Sequence, residues 1–291
     1  MFKGSFTALI TPFRNGRVDE KAFQALVDWQ IREGTHGLVP CGTTGESPTL
    51  SHEENMRVTE LCIEAAKGRV PVIAGTGSNS TDEALALTRH AKKAGATAAL
   101  LVVPYYNKPT QEGMARHFLA IADAVDLPIV IYNIPARSVV NMTIETMARL
   151  ARHPNIVAVK DATADLARPA RTRLALGKDF CQLSGEDVTV VPFLAQGGHG
   201  CISVTSNIAP RLCADLHNAW QKGDFKAVQT LNDRLVPVHD AMFVESSPGP
   251  VKYAAELLGL CTSDLRLPLC EIAESSKTAV KSALTGAGLL N

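Results

Sequence analysis

Neither sign of charge is in surplus: lysine plus arginine and aspartate plus glutamate each number 29 among 291 residues. With no basic excess, a small metabolite is a better expected partner than a nucleic acid or an anionic membrane. No apolar run approaches the roughly 20 residues that a membrane-spanning helix requires. The opening MFKGSFTALITPF lacks the longer apolar core and the small-residue cleavage site of a signal peptide, and it reads as a first strand. Cys41, Cys62, Cys181, Cys201, Cys213, Cys261 and Cys270 are odd in number, scattered and free of any C-x-x-C pair, so reduced thiols in a cytoplasmic protein are expected. His52, His90, His117, His199, His217 and His239 are equally dispersed, and no His, Cys, Asp or Glu cluster has metal-ligand spacing. Low-complexity segments and blocks of like charge are missing as well.

What the chain does contain is apolar residues, 46% against 20% charged, enough for a sizeable core. They recur as short β-branched runs, each followed by a polar turn and about a dozen residues of helical period. Ser5 to Thr11 reads as a first strand, and Asp19 opens a helix to about Arg32 that Gly34 closes. Gly37 to Pro40 is a second strand, and Ser51 with Glu54 forms a capping box for a helix to about Lys67. Pro71 to Ala74 is a third strand, with Thr81 expected to cap the helix after it. Ala98 to Val103, Leu127 to Tyr132, Ile156 to Lys160, Phe180 to Ser184 and His199 to Val204 complete the strands.

Eight such units of buried strand and helix imply an α/β fold with a parallel sheet, and eight is the number at which that sheet closes into a (β/α)8 barrel. The rival, an open doubly wound sheet, is weakened by the lack of a G-x-G-x-x-G opening the first helix. Residues 1–222 are expected to form the barrel, and residues 223–291 a C-terminal helical extension packed on it, with no linker-like composition between them.

In such a barrel the chemistry belongs at the C-terminal ends of the strands. Thr43 and Thr44 follow the second strand, Tyr105 and Tyr106 the fourth, and Tyr132 and Arg137 the fifth. Lys160 ends the sixth, the seventh runs into Gly185 and Glu186, and the eighth carries Ile202 and Ser203. Three of the four tyrosines fall on this rim.

Lys160 closes the apolar run NIVAVK, and alternation sets it beside the small Ala158, with Val157 and Val159 opposite. An ordinary lysine, with a pKa of about 10.4, is uncharged in fewer than about one molecule in a thousand at neutral pH. Burial disfavours the ammonium and makes the amine a nucleophile for a ketone or aldehyde. The plainer alternative is a strand-end lysine reaching back to water. A Schiff-base lysine needs proton traffic, and the hydroxyls of Thr43, Tyr106 and Tyr132 can form a relay; singly, each tyrosine also fits as a core residue with its hydroxyl at the surface. GTTGES, Gly42 to Ser47, offers N–H groups and hydroxyls for a small anion, or is an ordinary tight loop. Arg137 can grip a carboxylate through two bonds, or is merely solvated.

Seven motifs run in order along the chain: GTTGES at Gly42, AGTGSNST at Ala74, PYYNKPTQEG at Pro104, YNIPARS at Tyr132, VKDAT at Val159, LSGED at Leu183 and GGHGCISVTSN at Gly197. Through them the sequence resembles, over essentially its whole length, the dihydrodipicolinate synthase family of pyruvate-dependent Schiff-base barrels. The resemblance implies that Lys160 forms an imine with pyruvate, that Tyr132 transfers protons, and that Thr43 links it to Tyr106 reaching in from a neighbouring subunit. It implies substrate binding by Thr44, Ile202 and Gly185, with Arg137 receiving the carboxylate of L-aspartate 4-semialdehyde. The product would be 4-hydroxy-tetrahydrodipicolinate, on the way to diaminopimelate and lysine, made by a cytoplasmic homotetramer (a dimer of dimers) with no separate cofactor.

Feedback inhibition by L-lysine would use Ser47, His52, Asn79, Glu83 and Tyr105. Asn55 and Pro48 depart from the histidine and alanine common at those positions in lysine-sensitive members, and Asp161 stands where glutamate is usual. An N-acetylneuraminate lyase or a 2-keto-3-deoxy sugar-acid aldolase would share Lys160, Tyr132 and GTTGES. The Tyr105–Tyr106 pair and Arg137 favour a short second substrate bearing a carboxylate. A barrel that only binds metabolites is the alternative from another class, against which the intact lysine, tyrosines and arginine argue.

Overall fold

The computed structural model describes residues 2–290. Its strands are β1 (Gly4–Ala8), β2 (Phe13–Arg14), β3 (Arg17–Val18), β4 (Gly37–Val39), β5 (Ile73–Gly75), β6 (Ala98–Val102), β7 (Ile129–Asn133), β8 (Ile156–Asp161), β9 (Cys181–Ser184) and β10 (Gly200–Ser203). Eight of them make one sheet in the order β4-β1-β10-β9-β8-β7-β6-β5, and helices alternate with them: the (β/α)8 fold that the spacing of apolar runs predicts. The chain divides into two compact units, one built on Val72–Ile202 and the other on Gly4–Pro71 with Ser203–Asn291.

In the Val72–Ile202 unit, β5 to β10 run parallel, each strand pairing with the next. Leu101, Val103, Ile129, Ile131, Ile156 and Val159 pack with Met114, Phe118, Ile121, Met147 and Leu150 of the covering helices in one buried cluster. Between β7 and β8 the register slips: Ile129 pairs with Ile156 but Val130 with Ala158, leaving Val157 without a partner position of its own. Strict alternation from Ile156 would send Lys160 to the helix-facing side. The inserted residue reverses that parity, so Ala158 and Lys160 share a face, as expected, but Val157 is the bulge rather than a partner of Val159.

In the other unit, β1 pairs with β4 in parallel, and the Leu38 N–H donates to the Pro71 carbonyl at 3.0 Å, just ahead of β5. A Cβ on Gly37 would lie 2.1 Å from the Phe6 ring, so glycine is required where these strands meet. Asn207 fastens the end of β1, accepting from Ile10 N at 3.0 Å and donating to Ala8 O at 2.7 Å. Helices Pro210–Lys222, Phe225–Ala241, Gly249–Leu257 and Glu274–Gly286 complete the unit.

One local feature differs from the sequence reading, and two were absent from it. The stretch after Pro12 is a hairpin, β2 with β3, turned by Asn15 and Gly16, both at positive φ. Ser80, not Thr81, caps the third long helix, because the Thr81 hydroxyl is taken up by His117 Nδ1 at 2.9 Å. A short helix, Pro135–Ser138, forms within the motif after β7. The Ser51–Glu54 capping box forms as expected.

Candidate active site

Tyr132 and Lys160 are register partners on β7 and β8, one residue before the end of each strand. Both are buried, Lys160 to 6% exposure, and the lysine Nζ lies 4.1 Å from the centroid of the tyrosine ring. Strand hydrogen bonds fix the backbone on either side: Val103 N donates to Tyr132 O at 2.9 Å and Ala162 N to Asn133 O at 2.9 Å. On the other flank Lys160 pairs with Leu183 of β9, and Gly185 N donates to Asp161 O at 2.7 Å. A Cβ on Gly185 would stand 3.2 Å from Lys160 Cε and 2.7 Å from Ala162 Cβ. Gly185 is thus the surface against which the lysine stem rests.

Asp161 points away from that face and anchors the strand end. Its Oδ2 accepts from Arg168 Nε at 2.8 Å, its Oδ1 from the Thr163 hydroxyl at 2.6 Å and the Thr163 N–H at 3.0 Å, and Arg168 reaches on to Met142 O. The shorter acid found here therefore has a complete set of structural partners.

Glu186, which sequence reasoning left outside the candidate set, belongs to this group. Its carboxyl is half-buried, and burial raises its pKa above the ordinary range, with Asp187 adding to the effect and the charges of Lys160 and Arg137 opposing it. Ser184 fixes the turn by donating its hydroxyl to Glu186 O at 2.9 Å and accepting Glu186 N–H at 3.0 Å. The signal was its place in LSGED, directly after the strand-end glycine.

Arg137 sits in the Pro135–Ser138 turn with its side chain exposed. The turn itself is rigidly built. Ser138 Oγ donates to Ile134 O and Val140 O, each at 2.9 Å, while buried Asn133 donates to Asn141 Oδ1 at 2.8 Å and accepts Met142 N–H at 3.0 Å. Ile202 is fully buried in β10. Tyr106 is 88% exposed and held at φ 70°, an uncommon conformation for an aromatic residue; its neighbour Asn107 donates to Asn79 O at 2.8 Å.

Thr43 and Thr44 occupy a 3-10 turn after β4, Thr44 buried and Thr43 half-buried. Within GTTGES, Gly45 N–H donates to Gly42 O and Glu46 N–H to Thr43 O, so part of the loop's donor set closes its own turns. Of the residues expected to meet lysine, Glu83 is exposed and accepts the Ser78 hydroxyl at 2.7 Å; Asn79, Tyr105 and Ser47 are half-buried, and His52 begins a helix at the surface. Among the described residues no group of three or more His, Cys, Asp or Glu is disposed to hold a metal ion, and no helix is long and apolar enough to cross a membrane.

A buried lysine at a strand end, with a tyrosine beneath its amine and a glycine against its stem, is suited to covalent catalysis on a carbonyl. The 4-hydroxy-tetrahydrodipicolinate synthase of Rhodospirillum centenum is 67% identical over 290 residues, covering 100% of both chains. The crystal structure of the chloride-inhibited dihydrodipicolinate synthase of Acinetobacter baumannii complexed with pyruvate superposes with a TM-score of 0.97 at 45% identity, covering 100% of both chains. That of the DHDPS of Cyanidioschyzon merolae with lysine bound gives 0.96 at 40% identity, covering 99% of both. The family profile spans residues 1–287, and the chain belongs to the dihydrodipicolinate synthetase family.

Proposed function

We infer that this chain is a 4-hydroxy-tetrahydrodipicolinate synthase, a lyase that condenses pyruvate with L-aspartate 4-semialdehyde in the committed step toward diaminopimelate and lysine. The observation that carries the reading is the buried Lys160 amine over the Tyr132 ring, in a chain 67% identical to a synthase along its whole length. The amine adds to the pyruvate ketone, the carbinolamine loses water, and removal of a methyl proton from the imine gives an enamine. The enamine carbon attacks the aldehyde, and the substrate's own amine then displaces Lys160 as the ring closes. Each step moves a proton, which assigns Tyr132 as carrier, with Thr43 and Tyr106 supplying the other hydroxyls of the relay.

Thr44, Ile202 and Gly185 are assigned to the bound keto acid. Arg137, whose guanidinium is exposed on a firmly built turn, is assigned to the carboxylate of the semialdehyde. No step calls for a separate cofactor. Residues 1–222 are taken as the catalytic barrel and residues 223–291 as its helical extension. The exposure of Tyr106 supports a role in the site of a second copy, and we take the working form as a cytoplasmic homotetramer, a dimer of dimers. Ser47, His52, Asn79, Glu83 and Tyr105 are assigned to a lysine inhibitor, in keeping with the lysine-bound relative.

Borohydride reduction in the presence of pyruvate, followed by peptide mass spectrometry, tests the reading. The expected result is the mass of a reduced pyruvate adduct on the peptide holding Lys160, and an unmodified lysine would overturn it. Turnover of a sialic acid but not of aspartate semialdehyde would move the chain to the lyase branch. Activity unchanged by millimolar lysine would remove the inhibitor site.

A further inference from the structure

The loop that carries Thr43 and Thr44 ends on a side chain that no catalytic role accounts for. Glu46 is buried and sits at φ 56°, a left-handed conformation that a side chain adopts only when its surroundings hold it there. Its Oε1 accepts from Lys252 Nζ at 2.6 Å, and its Oε2 accepts the Arg266 N–H at 3.1 Å. Lys252, in helix Gly249–Leu257, is wholly enclosed, donates also to Asp264 O at 2.5 Å, and holds its nitrogen 4.1 Å over the Phe13 ring.

Arg266 extends the clamp. Its guanidinium lies 4.4 Å over the same ring, grips both oxygens of Glu54 at 2.6 Å, and donates to Thr49 O at 2.8 Å and Gly16 O at 2.9 Å. The chain is thereby tied at Glu46, Thr49 and Glu54, from the end of the GTTGES loop into the helix that follows.

A buried ion pair is a poor source of stability, since apolar residues of similar volume commonly serve the fold as well or better. Burial pulls the Lys252 ammonium below the ordinary lysine range, with Glu46 acting against the shift. The pair fixes a geometry at a cost to solvation. The Thr43 carbonyl accepts the Glu46 N–H at 3.1 Å, so the position of Glu46 is passed directly to the turn that bears the two threonines.

We propose that Lys252 is a positioning residue of the synthase reaction: through Glu46 it holds the Thr43–Thr44 turn in the conformation from which those residues serve the bound keto acid. The proposal rests on the assignment of Thr43 and Thr44 to the reaction, and it goes beyond that assignment in giving a residue of a C-terminal helix a part in the chemistry. Its prediction is kinetic rather than structural. Loosening the pair leaves Lys160 able to react but slows imine formation and weakens the hold on pyruvate.

Glu46→Gln, an isosteric change that keeps an acceptor for the Arg266 N–H, and the uncharged double variant Glu46→Gln/Lys252→Met provide the test. Full-length protein is mixed with pyruvate, and the rate of imine formation is followed by borohydride quench and mass spectrometry, alongside KM for pyruvate, kcat and the thermal midpoint. The expected result is a folded protein whose imine forms at least ten-fold more slowly, with a raised KM for pyruvate. Wild-type imine rate and KM in a folded variant of either kind would overturn the proposal while the parent enzyme still forms its adduct. If the parent itself forms no adduct on Lys160, the underlying assignment fails instead. Should the double variant not fold, the single one decides by the same readout.

Discussion

Tyr132 and Lys160 face each other across two neighbouring parallel strands, the lysine nitrogen 4.1 Å from the centre of the tyrosine ring. Ring and hydroxyl have separable duties: the ring packs beneath the amine, and the hydroxyl is the group able to carry a proton. Tyr132→Phe keeps the first and deletes the second. The pyruvate adduct should therefore still accumulate while turnover falls by about 10²- to 10⁴-fold, the usual worth of a general acid–base group. Lys160→Ala should abolish adduct and turnover together. Borohydride trapping beside a steady-state assay checks both, and Tyr132→Phe turning over at the parent rate would remove the hydroxyl from the mechanism.

Gly185 tests how tightly the lysine stem must be held. An alanine there puts a methyl 2.7 Å from Ala162 Cβ and 3.2 Å from both Asp161 O and Lys160 Cε, so the Ala162 contact must open and the lysine stem must give by a few tenths of an ångström. The methylene stem is the softer neighbour. Because a misplacement of about 1 Å can cost about 100-fold in rate, Gly185→Ala should lower kcat/KM for pyruvate by about 10- to 100-fold with a modest change in the thermal midpoint. An unaltered rate of adduct formation would mean that the stem has slack.

The barrel was legible because its signal is repeated: each short β-branched run is followed by one helical period, and chance does not sustain that through the full set of strands. The rim followed from topology, since residues after a strand must lie at its C-terminal end. What stayed hidden has local causes. The bulge at Val157 falls inside an unbroken apolar run, IVAV, with no glycine or proline to mark it. The β2–β3 hairpin did carry its mark, Asn15-Gly16, but strands of two residues are too short to show alternation. Glu46 and Lys252 are 206 residues apart, and no periodicity links positions at that distance.

Tyr106 makes the opposite prediction to a core residue. With 88% of its surface exposed, it has little packing to lose within its own chain. Tyr106→Ala should therefore cost the subunit's own fold no more than about 0.5 kcal/mol, any larger loss of unfolding free energy reporting its contact with a second copy, while steps after adduct formation slow by about ten-fold or more. Denaturant titration and single-turnover kinetics on the same preparation separate the two. Full turnover in the variant would take Tyr106 out of the relay.

His217 sets an acid limit on stability. It is buried in helix Pro210–Lys222, and burial, aided by the charge of His36, lowers its pKa from 6.5 to about 3. Well above pH 6.5 the imidazole is neutral in folded and unfolded chains alike, and it makes no difference to stability. As the pH falls from there toward 3, the unfolded chain takes up a proton that the folded chain refuses, and stability drops by about 1.4 kcal/mol for each pH unit per such group. His117, lowered to about 4 by burial, acts in the same direction. His217→Gln keeps a polar side chain but cannot titrate, so its loss of stability between pH 7 and pH 4.5 should be smaller than the parent's by about 2 to 3 kcal/mol. Denaturant midpoints of both proteins at the two pH values measure this difference, and parallel acid losses would mean that His217 is protonated within the fold.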